Sequence, residues 1–240
     1  MAAGLGVLAA TIGLTTRVAR AQSQSPPSVP ARAADMQHHF SQLTRIHEAL
    51  IRGDLKAVLA PAAELATTRT PEGFPASAET FVDAIRRSAR RAGTAPNLRT
   101  AAAETVALAG QCAACHQAVG MYPSPASPRR PDLPSIVGHM IEHQRAADDM
   151  LQGLVMPSAS RWTEAARRLD TATLDADAWP RDAKLRAQAR QADADIHALA
   201  ERAYEATTPR VRANLYVDLV MTCAGCHSLH RGVWGPRSGR

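Results

Sequence analysis

The sequence holds 240 residues, 45% of them apolar, enough for one large domain or two small ones with cores of their own. Only 3 Trp, 3 Tyr and 3 Phe occur among them, and Ala, Leu and Val carry the apolar content, which suits helices better than sheets. Side chains this small leave room in a core for a bulky flat cofactor. The formal charge of +6 comes from arginine, since Lys56 and Lys184 are the only lysines, and nothing in its distribution points to sequence-specific nucleic-acid recognition.

From the N-terminus, residues 2–14 form an uncharged apolar run, and Ala19-Arg20-Ala21 supplies an A-x-A cleavage site before Gln22. The run is short for a membrane span. Residues 1–21 therefore read as an export signal, which predicts a periplasmic mature protein with no stable membrane span. Removing Arg17 and Arg20 with the signal takes the charge from +6 to +4. Residues 22–34, containing "SQSPPSVPARA", read as a flexible leader.

The next piece, 35–119, predicts helices near 35–52, 54–68, 77–92 and 97–117, with Pro61 placed awkwardly inside the second, so that this segment is expected to kink or begin late, and a turn at "TPEGFP", 70–75. Arg86, Arg87, Arg90 and Arg91 read chiefly as a solvated helix face, and secondarily as a docking patch for an acidic redox partner. Residues 120–134, "GMYPSPASPRRPDLP", carry five prolines, so neither helix nor sheet runs through them and they read as a semi-extended linker. The second piece, 135–231, predicts helices near 135–153, 159–171, 181–206 and 209–228, with a turn at "DADAWP", 175–180. The last of these has Thr208 as N-cap and Pro209 in the first helical position. Residues 232–240 read as a C-terminal tail. "HFSQLTRIHEALIRGDL" (39–55) and "HMIEHQRAADDMLQGLV" (139–155) align without gaps, His39 on His139 and Gly53 on Gly153. Each piece then runs through further helices to a C-x-x-C-H pentad, an order that marks an internal duplication. The expected fold is all-α: two tandem four-helix bundles, each with a C-terminal C-x-x-C-H helix.

The pentads are Cys112-Ala113-Ala114-Cys115-His116 and Cys223-Ala224-Gly225-Cys226-His227, and they use all four cysteines. C-x-x-C-H is the attachment sequence of c-type haem. On a helix, positions i, i+3 and i+4 share one face, so two sulfurs can form thioethers to the haem vinyl groups while the imidazole reaches the iron. A four-cysteine zinc site is disfavoured because more than a hundred residues separate the pairs. A redox dithiol lacks its βαβ setting, and disulfides across such tight loops would staple little. Two covalently attached haems are expected, with His116 and His227 as proximal iron ligands.

Each pentad closes its piece instead of opening it. That order resembles the cytochrome c′ family and its six-coordinate relatives, four-helix bundles with haem on the final helix and the sixth position facing the first. The resemblance covers both halves of the mature chain, although the basic residue that often precedes the second cysteine in cytochromes c′ is absent. It implies a sixth-ligand candidate on each first helix. The ungapped alignment singles out His39 and His139. The alternative register of Met36-x-x-His39 on Met140-x-x-His143 offers Met36 and Met140, with His143 a further candidate. His38, His47, His197 and His230 read as surface or packing residues, and Trp162, Trp179 and Trp234 as core. The expected function is an exported di-haem c-type cytochrome passing single electrons between redox proteins, an electron carrier and not an enzyme. The alternative is a five-coordinate, c′-like haem protein that binds nitric oxide or carbon monoxide; a di-haem peroxidase ranks below both.

Overall fold

A computed structural model describes residues 29–70, 73–121, 136–172, 174 and 181–234. The expected signal, the prolines of the linker and "DADAWP" lie outside these residues. Eight helices and no strand occur among the described residues: α1 (Val29–Ile51), α2 (Leu55–Ala66), α3 (Ala78–Gly93), α4 (Leu98–Ala118), α5 (Ile136–Val155), α6 (Ala159–Thr171), α7 (Ala183–Glu205) and α8 (Pro209–Trp234). The protein is all-α. No described helix is long and apolar enough to cross a membrane.

Side-chain caps set several starts. Asp54, Asn97, Ser158 and Asp182 each accept a hydrogen bond from the backbone N–H three residues on, at 3.1, 2.8, 3.3 and 2.8 Å. Thr208 accepts from Val211 N–H at 3.3 Å, the capping role expected of it. Two ends differ from expectation. α1 begins at Val29, six residues before position 35, because Pro30 falls in the first turn, where its missing N–H costs nothing, and the following alanines favour helix. α8 runs on to Trp234, into the segment read as a tail. Pro61 neither delays nor ends α2. It is buried with Val58, Ala62 and Leu65 on the packed face, so burial offsets the lost backbone bond.

α1 packs on α2, α2 on α3, α3 on α4, and α4 returns to α1. The later helices repeat this: α5 on α6, α6 on α7, α7 on α8, and α8 back on α5. The two sets meet where α4 touches α5 and α8, and where α1 touches α8. Across that junction one hydrophobic cluster is continuous, with Leu43, Ile46 and Leu108 from the first set and Met150, Leu151, Trp162 and Leu219 from the second. Trp162 is wholly buried, and its indole N–H donates to the Ala203 carbonyl at 2.7 Å, which joins α6 to α7.

The glycines paired by the internal alignment do different work. Gly53 takes φ 66° just past α1 and turns the chain into Asp54. Gly153 lies inside α5, where a Cβ would come within 3.0 Å of the Trp162 backbone nitrogen, so its smallness sets how near α6 can approach. The arginine run is largely engaged locally: Arg86 with Glu79 and Asp83 at 2.7 Å, and Arg91 with Glu104 at 2.8 Å.

Candidate functional site

Cys112, Cys115 and His116 occupy the last two turns of α4. Cys112 is half-buried and packs against the hydrophobic cluster. Burial, and then the neighbouring Cys115, push its thiol up to about 12, and burial raises Cys115 as well. Both are neutral thiols at physiological pH, which is not the activated thiolate of a nucleophile or a redox dithiol. His116 is buried, and its Nδ1 lies 3.0 Å from the Val155 carbonyl oxygen at the end of α5. Burial lowers its pKa while that carbonyl opposes the shift. A neutral ring donating through Nδ1 keeps its Nε2 lone pair for another partner.

The second pentad lies on α8. Cys223 is buried, with its thiol pushed up to about 12 by burial and then by Cys226. Cys226 is half-buried and raised by burial first and by the charge of Asp193 second. All four cysteines are free. Asp193, on α7, gathers imidazoles from the start of α5 and from its own helix. His139 Nε2 donates to Asp193 Oδ1 at 2.9 Å, His143 Nε2 lies 3.9 Å from the same oxygen, and His197 Nε2 lies 3.7 Å from Oδ2. The rings of His139 and His143 have centroids 4.0 Å apart. His139 Nδ1 and His143 Nε2 are buried without a hydrogen-bond partner. Burial, then His139, lower His143 to about 3. Burial pushes Asp193 up, but the His139 hydrogen bond and the imidazoles gathered around the carboxylate outweigh it and hold its carboxyl below the usual range. Ligand atoms of His139, His143 and Asp193 lie within 4.8 Å of one another.

The structure thus gathers His139 and His143 around Asp193. In the first set, His39 is half-buried with Nε2 on the Thr68 hydroxyl, and burial, then His38, lower its pKa. It opens on a cleft of about 640 Å³ lined also by Asp35, Gln42 and Glu64, and no residue of the first pentad is among the lining. Met36 and Met140 are half-buried on the same two first helices. His38 is exposed near Glu64, at 3.5 Å. His47 is wholly buried: its Nδ1 faces the Tyr216 hydroxyl at 2.7 Å and its Nε2 faces Asp148 at 2.9 Å, so it packs the junction between the sets.

Sequence reasoning missed Asp193, Thr68 and Tyr216, and it took His197 for surface or packing. Asp193 and His197 are four apart and share a face of α7, but no spacing links that face to α5 or α8. The first pentad and Asp193 meet opposite ends of α5: His116 faces Val155 at its last turn, and Asp193 holds His139 in its first. Those residues are 16 apart, about 24 Å along a helix.

These residues fit a covalently attached macrocycle. Each pentad offers two uncommitted protonated thiols one turn apart on one helical face, followed by an imidazole. No family model, curated protein or solved structure matches the chain.

Proposed function

We propose that this chain is an exported di-haem c-type cytochrome, built as two tandem four-helix bundles, that passes single electrons between redox partners. The observation that carries the reading is the repeated pentad in the C-terminal half of a long helix, with free neutral thiols and, at His116, a ring whose Nδ1 is committed to Val155 and whose Nε2 is available. Cys112, Cys115, Cys223 and Cys226 would each supply the sulfur of a thioether. His116 and His227 would ligate iron from the proximal side. The haem would supply the one-electron iron couple, which none of the twenty side chains provides at ordinary potentials. What the chain supplies is ligand orientation and an apolar setting: Val155 fixes the His116 tautomer, and the shared core next to Cys112 and Cys223 keeps water from one face of each site. His139 and His143 stand as sixth-ligand candidates in the second half. Export through residues 1–21 would place the chain where haem c is attached, with other redox proteins as partners.

A second reading is favoured for the first site by one observation. His39 is committed to Thr68 and opens on a cleft that the pentad does not line. An iron there without a sixth protein ligand would take nitric oxide or carbon monoxide. Both readings are tested on protein matured in a host able to attach haem. Intact mass should rise by two haems, and reduced spectra should show low-spin c-type bands. Carbon monoxide should alter neither site under the first reading and half the absorbance under the second; no mass gain ends both.

A further inference from the structure

Asp193 gathers more imidazole than an ion pair uses. His139 Nε2 donates to its Oδ1 at 2.9 Å, which is enough to pair one ring with one half-buried carboxylate. His143 is then left over. It is 6% exposed, its Nε2 lies 3.9 Å from the same oxygen, beyond hydrogen-bond reach, and that buried nitrogen has no partner. A buried polar atom left unmet destabilises a fold unless something else meets it. The three residues are spaced for a ligand that would. His139 and His143 are four apart in α5, hence on one face, with ring centroids 4.0 Å apart. Asp193 reaches them from α7, and one donor atom of each residue lies within 4.8 Å of the others. Around a tetrahedral cation with bonds of about 2.0–2.1 Å, donor atoms stand about 3.3 Å apart. The observed 2.9 and 3.9 Å bracket that spacing. His197, one turn on from Asp193, donates through Nδ1 to the Asp170 carbonyl at 2.7 Å and holds Nε2 3.7 Å from Asp193 Oδ2. A ring fixed through Nδ1 with Nε2 turned inward is oriented as metal-binding histidines are. Its side chain is 26% exposed, which gives the group an edge open to solvent.

We propose that His139, His143 and Asp193 bind a divalent transition-metal ion, zinc being the simplest, with His197 or water in the fourth position. Magnesium and calcium take oxygen donors, whereas two imidazoles beside a carboxylate suit zinc and its neighbours. The cation would accept the unmet lone pair of His143 Nε2. His139 would ligate as its other tautomer, with the ring proton on Nδ1, and Asp193 would offset part of the added charge. α5 and α7 do not adjoin in the packing order but face each other across the second set, so the ion would tie that set through its middle. The site stands apart from the di-haem reading and constrains it at one point. Histidines that hold this cation do not ligate iron, which leaves Met140 as the candidate sixth ligand on α5.

The test is zinc uptake by the full-length chain, matured in a host able to attach haem and then dialysed against a chelator. Titration calorimetry and elemental analysis should find a single zinc ion per chain, bound at micromolar concentration or below. His143→Ala and Asp193→Asn should each abolish uptake, while His38→Ala, at an exposed ring near Glu64, should leave it intact. If the first two variants do not fold, zinc K-edge X-ray absorption on the unaltered protein still decides. At least two imidazole nitrogens should then appear at about 2.0–2.1 Å from the metal. Zinc should also leave the haem spectrum as it was. No uptake, uptake that survives in both variants, or fewer than two imidazoles at the metal would overturn the site. Zinc that binds only as low-spin haem bands fade would overturn it too, by giving these histidines to iron. Intact mass separates this proposal from the cytochrome reading: zinc bound to a chain without haem would end that reading and keep the site, and two haems without zinc would do the reverse.

Discussion

His116 of α4 places Nδ1 3.0 Å from the carbonyl oxygen of Val155, so a side chain of the first helical set is oriented by the backbone of the second. Removing the imidazole takes a buried acceptor's partner as well as the ring's own bond, at a cost of about 1–3 kcal/mol. His116→Ala should therefore lower the urea midpoint. If the proposed role holds, it should also alter the spectrum of one haem while both thioethers persist by mass. A stability unchanged within error would mean that the contact does not hold the ring.

Tyr216 and His47 form a second bridge between the sets, 2.7 Å from hydroxyl to Nδ1. Burial first, then Asp148 and Cys223, push the Tyr216 phenol well above its usual range. An acid held protonated in the folded state stabilises that state below the unfolded pKa, about 10, and the benefit is lost as pH rises beyond it. Wild-type stability should fall above pH about 10 as the unfolded phenol ionises. In Tyr216→Phe the alkaline fall should flatten, with about 1–2 kcal/mol lost at neutral pH for the unmet His47. Denaturant melts across pH 7–11 would measure both.

Two helical glycines should respond oppositely to alanine. At Gly225 a Cβ would meet nothing within 4 Å, and Ala114 already stands at the matching position of the first pentad. Gly225→Ala should raise stability by about 0.5–1 kcal/mol through helix propensity. At Gly153 the added carbon would press on the Trp162 backbone, and about 1–3 kcal/mol of overpacking exceeds that gain. Thermal melts of the two variants should shift in opposite directions.

Changing both cysteines of one pentad to serine should remove one haem and leave the other. The variant Cys223→Ser, Cys226→Ser is expected to show a mass gain of one haem and about half the c-type absorbance. The complementary pair at Cys112 and Cys115 should match it. Loss of both haems from either variant would contradict independent attachment.

Much of the helical organisation could be read directly from the chain. The Thr208 cap, the apolar periodicity and the absence of strand alternation act within one or two turns, so they are visible locally. Pro61 and the α1 start were misjudged for a related reason: whether a proline is tolerated depends on what buries its ring and on whether its missing N–H was needed. The pentads were equally plain, because i, i+3 and i+4 on a helix is a local geometry.

What only the folded chain decided is which side chains meet across helices. Nothing in the sequence sets Asp193 on α7 against His139 on α5, or the Val155 carbonyl against His116, since those contacts follow from how the helices pack. The aligned pair His39 and His139 makes the point most sharply. Equal in register, they acquire a hydroxyl in one half and a half-buried carboxylate in the other. Local sequence determines a helix and the face a residue occupies on it; the charge and burial of its neighbours are properties of the packed interior.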